Sequence, residues 1–514
     1  MYLLAEQILF ASHLSLLTLP LLRFDKVSDL QPKRKWILSL MLTISKTRQK
    51  MWPIFAVVGI TLTMWLGSKW FYEDWFVNPY KYIAKTASLS ATILMCCCVV
   101  LSTRWRFLEH FFGGLDKVYQ VHKRIGKWSF FLILLHPVFL AVDRLPDVPA
   151  FFQAMWFYQP EGDLSLWGQN VGVMALIIFA VLITVTLWLK IAYHRWKITH
   201  EFFGLVLLVL VAHIFLVNAD IARYPVLTGW MYGWLGLALG SYLYIRFLYR
   251  YWGPRFGYNV WRIERVEDIL EVTFSPQDQK MDFRPGQFVY LVIRKKGITP
   301  EPHPYSIACG YNLEALLKLG IKQVGDHTRR LDLLEVGDPV TLYGPYGHFS
   351  DAFLRADRDC VFIGGGIGIT PFIGMWHVAL HSEERYDKSQ VPIPIRKLHP
   401  EILKTWRSPR VSLFYVCRTA AETSFDNDIR NEVILSQFHG FPQLEKRGHH
   451  YELYLSSKQG RISADYINQQ VRGGIKDRYV FLCGPTPMVN ELIRQFRAMG
   501  LTRRQIIVEG FNLV

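Results

Sequence analysis

HKRIGKWSFFLILLHPVFLA, residues 122–141, is an apolar run with a basic start and two histidines, His122 and His136, fourteen residues apart. A second run, HEFFGLVLLVLVAHIFLV at 200–217, repeats the pattern with His200 and His213, thirteen apart. Runs of about 20 apolar residues are long enough to cross hydrocarbon as helices. Four more stretches read the same way, at 52–71, 84–101, 170–193 and 228–251, so six membrane helices are expected. Residues 1–22 form a seventh apolar stretch, diluted by Glu6, Gln7, His13 and Pro20. It lacks the basic start of a signal peptide and either spans or lies in the interface.

The chain has 514 residues, is 51% hydrophobic and carries a formal net charge of +16. That length allows two or three domains. The charge is a positive-inside bias rather than a nucleic-acid surface, because no basic cluster is interleaved with aromatics to meet bases. Lys33–Lys35, Lys46, Arg48 and Lys50 precede the first span. Arg104, Arg106, Lys117, Lys123 and Arg124 lie between the second and third, and Lys190, Arg195 and Lys197 between the fourth and fifth. Arg246, Arg250 and Arg255 follow the sixth. All fall on one side if the spans alternate, and that side is expected to be cytosolic. Acidic residues such as Glu73, Asp74, Asp143 and Glu161 occupy the other loops. The seven cysteines have no spacing of a disulfide framework or metal site, and Cys96–Cys98 read as small packing residues.

Ionisable groups in lipid are costly, so two histidine pairs on separate helices point to function. Both helices would run outward from the cytosol. Fourteen residues span about 21 Å and thirteen about 20 Å, which pairs His122 with His200 and His136 with His213 at two depths. Neutral imidazoles from facing helices can hold a haem iron from both sides, leaving it no open position and favouring electron transfer. Phase is the difficulty. Fourteen residues nearly complete four turns, whereas thirteen fall short by over a third of a turn. His213 therefore needs a helix irregularity, a tilt or a long reach.

This spacing resembles the transmembrane ferric reductase and NADPH oxidase superfamily, and its 14-then-13 combination looks like the NADPH oxidase branch. The resemblance implies that His122, His136, His200 and His213 are the axial ligands of two b-type haems.

From Tyr258 the pattern turns to short alternating strands with Pro-Gly turns, suiting a small antiparallel barrel. His303-Pro304-Tyr305-Ser306, then Gly325-Asp326-His327-Thr328, then Gly344-Pro345-Tyr346-Gly347 follow in order. An aromatic and a hydroxyl on an extended strand can cover a flavin, and the helix opening at Gly325 suits a pyrophosphate. Together they look like the ferredoxin reductase-type flavin domain. The resemblance implies FAD, with His303, Pro304, Tyr305, Ser306, Gly325 and Thr328 as contacts. His327 stands where oxidases usually have Trp or Tyr.

A buried-strand run at 359–363 leads into Gly364-Gly365-Gly366-Ile367-Gly368-Ile369-Thr370-Pro371 and a helix. Glycines let phosphate approach the backbone, and the strand–loop–helix context marks a nucleotide site. The next strand, Val411–Cys417, ends at Arg418, a cation suited to a ribose 2′-phosphate, so NADPH is favoured over NADH. The family places Cys483-Gly484-Pro485 near the nicotinamide. Phe511 looks like the family's terminal aromatic that stacks on flavin, although three residues follow it here. Residues 381–410 read as a surface insertion.

The expected architecture has four parts. An apolar and basic segment occupies 1–50. An all-α membrane haem bundle of six helices, or seven with residues 1–22, occupies 51–252. An antiparallel β-barrel FAD domain follows at 253–352, and an α/β doubly wound NAD(P)H domain at 353–514. The expected function is electron transfer from cytosolic NADPH to O2 or a ferric chelate on the outer face of the plasma membrane. A non-enzymatic haem sensor or electron conduit is the less favoured alternative. Lys85 stands where oxidases have a basic residue near the outer haem and is the candidate for holding oxygen or superoxide. Oxidases also have a further His one turn beyond the outer ligand of the third helix, where this chain has Leu140. Lipid is the expected surrounding; nucleic acid is not a partner, and protein partners are not readable.

Overall fold

The computed structural model describes residues 51–71, 79–155, 164–189, 191, 193–217, 221, 224–310, 316–355, 357–381, 409–438 and 443–509. Residues 1–22, most of the 381–410 insertion and Phe511 therefore lie outside the described residues. By its contacts the chain divides into two compact units, Met1–Ala56 and Val57–Val514. The described residues lie in the second unit, apart from 51–56.

The helical part contains α1 (Trp52–Phe71), α2 (Pro79–Leu101), α3 (Arg106–Phe112), α4 (Leu115–Val142) and α5 (Leu164–Trp188). It continues with α6 (Tyr193–Glu201), α7 (Phe203–Val217) and α8 (Pro225–Leu243). Among the described residues five helical stretches are long and apolar enough to cross a membrane. The sixth expected span is present as α8, continued by a π-helical turn, Tyr244–Leu248, and a last turn, Tyr249–Trp252. It falls outside those five because glycines and aromatics dilute its apolar content, with Gly229, Gly233, Gly236 and Gly240 all inside α8.

The fifth expected span is not one helix. It breaks at Phe202, where the Phe202 N–H reaches back only to the Thr199 carbonyl at 3.2 Å and the Leu205 N–H to Phe202 at 2.9 Å. These are three-residue closures, tighter than an α-turn. The irregularity that the thirteen-residue spacing demands thus lies between His200 and His213.

Helices pack in antiparallel pairs, α2 with α4 and α5 with α7. Small residues let α2 and α4 approach. Ala84, Ala87 and Ala91 are buried on α2, and Ser129 of α4 donates to the Ala91 carbonyl at 2.8 Å. At 28 residues α4 is about 42 Å long, more than a hydrocarbon core needs, so it can extend beyond one membrane face.

Only Gly253 and Pro254 separate the last helical turn from β1 (Arg255–Val266). β2 (Ile269–Pro276), β3 (Phe288–Ile293), β4 (His303–Ser306), β5 (Leu317–Lys322) and β6 (Pro339–Tyr346) complete an antiparallel sheet of order β4-β3-β6-β1-β2-β5. A bridge between Ile307 and Leu319 brings its two edges together. This is the half-barrel expected for the segment.

The last part is a parallel sheet, β11-β10-β7-β8-β9. Its strands are β7 (Cys360–Gly365), β8 (Val411–Cys417), β9 (His450–Leu455), β10 (Tyr479–Cys483) and β11 (Ile506–Val508). Both faces are covered, as parallel sheets require. Phe362 of β7 packs on one side with Phe372 and Trp376 of α9 (Thr370–His381). Val361 and Ile363 pack on the other with Ile467 of α11 (Ala464–Gln470) and Phe496 of α12 (Thr486–Ala498). Between them in the chain, α10 (Asp426–Phe438) lies beside α9.

His449 enters β9 buried, and its Nδ1 accepts the Val411 N–H at 3.1 Å, which requires a neutral ring. Burial, then the Arg447 and Arg410 charges, lower its pKa to about 3. The unfolded chain takes up this proton near pH 6.5, before the folded one. Stability therefore falls as pH drops below about 6.5, by up to about 1.4 kcal/mol per pH unit. The test is the melting midpoint against pH for wild type and His449→Gln. The variant should show the shallower acid slope, and equal slopes would refute the assignment.

Candidate functional site

Three of the four membrane histidines are held at Nδ1 by a backbone carbonyl of the paired helix. His122 Nδ1 lies 2.9 Å from the Cys98 carbonyl and His136 Nδ1 3.0 Å from that of Ala84. Both carbonyls belong to α2, and they are fourteen residues apart, like the histidines. His213 Nδ1 lies 2.8 Å from the Gly168 carbonyl of α5. A carbonyl can only accept, so in the neutral ring Nδ1 carries the proton and Nε2 keeps its lone pair. This is the arrangement of metal-binding imidazoles.

The rings of His122 and His200 have centroids 6.0 Å apart. A metal midway would stand about 3 Å from each centroid, matching a metal–nitrogen bond of roughly 2 Å plus the distance from nitrogen to ring centre. His200 stacks on Trp196 at 5.0 Å, and its buried Nδ1 has no hydrogen-bond partner among the described residues. His136 and His213 are close enough for their charges to interact, and Lys85 also acts on His136. Lys85 follows Ala84, the residue whose carbonyl holds His136, so it stands at the His136–His213 pair. Gly172 is the seat of His213: a Cβ there would meet the imidazole at 2.5 Å.

The helical part grips the barrel through residues to which the sequence analysis gave no docking role. Arg104, at φ 56°, sends its guanidinium 4.1 Å from the Tyr290 ring centre and donates to the Tyr119 hydroxyl at 3.0 Å. Glu109 of α3 is buried and accepts the Gly347 N–H at 2.6 Å. Tyr249 and Tyr346 share a hydroxyl contact of 2.6 Å. The Gly-Pro-Tyr-Gly stretch therefore closes the barrel and also docks the helices, through a charge-assisted bond that a buried carboxylate requires. A basic residue beside an aromatic-rich barrel strand was the available signal.

On β4 the Tyr305 hydroxyl is buried with no hydrogen-bond partner among the described residues, and burial pushes its pKa up. A polar atom left this way costs about 1–3 kcal/mol unless a ligand meets it, so the strand is shaped for a polar guest. Pro304 and Tyr305 pair with Tyr290 and Val289 of β3, and Ser306 is buried. His303 and His327 stack at 3.8 Å, so the imidazole takes the place of a larger aromatic against its neighbour. The Thr328 hydroxyl is engaged in its own turn, accepting from the Val324 and Gly325 N–H groups at 3.1 and 3.0 Å.

The sheet order places β7 and β10 side by side where the chain direction of winding reverses, the crevice in which doubly wound folds bind nucleotides. The loops after both strands meet there. A Cβ on Gly368 would lie 2.5 Å from the Cys483 carbonyl oxygen, and one on Gly365 would lie 2.9 Å from Pro485. Gly484 adopts φ 153° in the same contact. Gly364 and Gly366 flank it, and Thr370 and Pro371 open α9 with Thr370 donating to the Ile367 carbonyl at 2.9 Å. Arg418 stands exposed just past β8. Cys483 itself is buried, and burial with the Glu509 charge holds its thiol well above its ordinary pKa. It acts as a thiol, not a thiolate, so its nucleophilicity is off.

Two family models match this chain. Residues 87–211 match the ferric reductase like transmembrane component. Residues 258–348 match an FAD-binding domain. The ferric reductase-like segment holds all of His122, His136 and His200, and stops two residues short of His213. The pair of matches supports the ferric reductase and NADPH oxidase superfamily, an integral membrane protein and electron transfer by way of flavin.

Among curated relatives, the gamma subunit of sulfhydrogenase 2 from Pyrococcus furiosus is 25% identical over 45% of this chain and 72% of its own length. The ferredoxin reductase component of 3-ketosteroid-9-alpha-monooxygenase from Rhodococcus rhodochrous is 23% identical over 49% of this chain and 63% of its own. Cytochrome b5 reductase 4 of Rattus norvegicus is 27% identical, with 37% of this chain and 32% of that one covered. The chain thus spans from about a third to under three quarters of these relatives. They support an oxidoreductase. Flavohemoglobin from Malassezia yamatoensis aligns over 84% of this chain and 98% of its own at 15% identity, with a TM-score of 0.42.

Proposed function

We propose that this protein moves electrons from NADPH on the cytosolic side, by way of FAD and two bis-histidine haems, to an acceptor at the outer membrane face. The observation that carries the reading is the set of membrane imidazoles with Nδ1 fixed to backbone carbonyls and Nε2 left as the donor atom. When bound, FAD would turn a two-electron hydride into single electrons, and haem iron would relay them one at a time.

The chain's own residues supply the rest. His122 and His200 would hold the inner group, and His136 and His213 the outer one. The Cys98, Ala84 and Gly168 carbonyls fix the tautomer and orientation of three of these ligands. Tyr305 and Ser306 offer hydroxyls to the flavin, with His303 and Pro304 lining the same strand. Gly364–Gly366 and Gly368 admit the nucleotide phosphates, Arg418 offers a cation for a 2′-phosphate, and Cys483–Pro485 shape the nicotinamide end. Phe511 is assigned to cover the flavin. Arg104 and Glu109 hold the flavin barrel against the helices, which keeps the transfer distance short. Positive residues between the spans orient the reductase half to the cytosol of the plasma membrane.

We favour O2, reduced to superoxide, as the acceptor, with Lys85 beside the outer pair providing a positive charge. A second reading, ferric-chelate reduction, is favoured by Leu140, which stands where oxidases have a histidine. Purified holoprotein with NADPH separates them. The first reading expects cytochrome c reduction that superoxide dismutase suppresses. Iron reduction that proceeds without oxygen and yields no superoxide would reject it in favour of the second.

A further inference from the structure

His377 and His381 stand four residues apart on α9, and so share one face of the helix. Glu432 of α10 faces both. Its Oε2 lies 2.9 Å from His377 Nδ1 and 3.0 Å from His381 Nε2. The three ligand atoms lie within 4.8 Å of one another, and the two rings have centroids 4.6 Å apart. The His377 ring is also seated: it packs so tightly over Gly310 that a Cβ there would meet its Cγ at 2.2 Å. All three side chains are partly buried, which limits competition from water.

We infer that His377, His381 and Glu432 form a binding site for a divalent transition-metal ion of the zinc class, separate from the electron-transfer path. Two imidazoles and one carboxylate are a donor set that suits Zn2+ and its neighbours rather than Mg2+ or Ca2+, which prefer oxygen. Ligands bound to Zn2+ at about 2.0–2.2 Å sit roughly 3.3 Å apart at the tetrahedral angle, so the ion enters if each nitrogen withdraws by a few tenths of an ångström. Three protein ligands leave a fourth position for water. The ion would tie α9, the helix that follows the glycine loop, to α10, and would restrain that loop from behind. Binding displaces any protons on the imidazoles, so it weakens on acidification.

The alternative is a pair of imidazole–carboxylate hydrogen bonds with no metal. The two are separated by equilibrium dialysis of the full-length, haem- and FAD-loaded protein against micromolar Zn2+, counting metal per chain. Glu301, His303 and His327 form a second cluster of this kind on the barrel, so the readout is the difference between wild type and variants. Wild type should retain one ion more than His381→Gln and Glu432→Gln, with affinity lowered more than about tenfold in each. His381→Cys should keep the ion, because a thiolate replaces the imidazole. Zn2+ should also raise the melting midpoint of wild type and of His381→Cys by more than it raises that of the two Gln variants. Equal binding by wild type and both Gln variants, or no retained Zn2+ in wild type, overturns the proposal. Should one Gln variant fail to load FAD, the other carries the comparison.

Discussion

His213→Leu should remove one of two haems and cut transmembrane electron flow by more than about 100-fold, since losing a ligand costs more than losing its supporting shell. The substitution preserves bulk and apolarity, so helix α7 should still pack. NADPH-driven reduction of a soluble dye, which draws electrons from the flavin, should continue. The reduced-minus-oxidised haem spectrum and the haem-to-FAD ratio provide the readout. A full complement of haem with an unchanged spectrum would sink the ligand assignment. Gly172→Ala is a finer version of the same test. Its methyl would meet the His213 ring at 2.5 Å, so the ligand stays in the chain but loses its seat. Weaker haem retention or a displaced midpoint potential is expected there, together with normal flavin content.

Gly368→Ala should damage nucleotide binding as severely as any single methyl can. The added carbon would sit 2.5 Å from the Cys483 carbonyl oxygen and 2.7 Å from the Gly484 Cα. Both contacts are backbone and belong to the neighbouring strand loop, so no side chain can turn aside. Overpacking of this kind costs about 1–3 kcal/mol, which corresponds to roughly 5- to 150-fold in an equilibrium constant. The two loops must part, and the crevice between β7 and β10 must reshape. We expect the KM for NADPH to rise by about tenfold or more, while FAD content and the haem spectrum stay as in wild type. Steady-state kinetics with NADPH and a flavin-level acceptor would test it. An unaltered KM would show that the nucleotide does not use this loop.

Most of what lies in one stretch of chain was legible beforehand. Apolar length marked the spans, the period of the histidines marked two depths, and the strand at 411–417 was read to the residue. The parallel sheet was announced by strand–loop–helix order. The sixth span was read correctly as a helix, yet its glycines and aromatics leave it less apolar than its neighbours. The thirteen-residue spacing told that something had to give between His200 and His213. It could not say what: only the packed helices reveal that the turn tightens at Phe202.

By itself, the sequence determined the order of elements, the spacing of the four histidines and the run of glycines after β7. These are local properties, set by residues a few positions apart, and periodicity records them. Tertiary structure alone decided which carbonyls hold the imidazoles and which loop the glycines press on. It also decided that Arg104 and Glu109 dock the helices to the barrel, and that Glu432 faces His377 and His381. Each of those contacts joins segments from 24 to more than 200 residues apart. Their geometry exists only once chain closure and close packing have brought the segments together, and no spacing in the sequence encodes it.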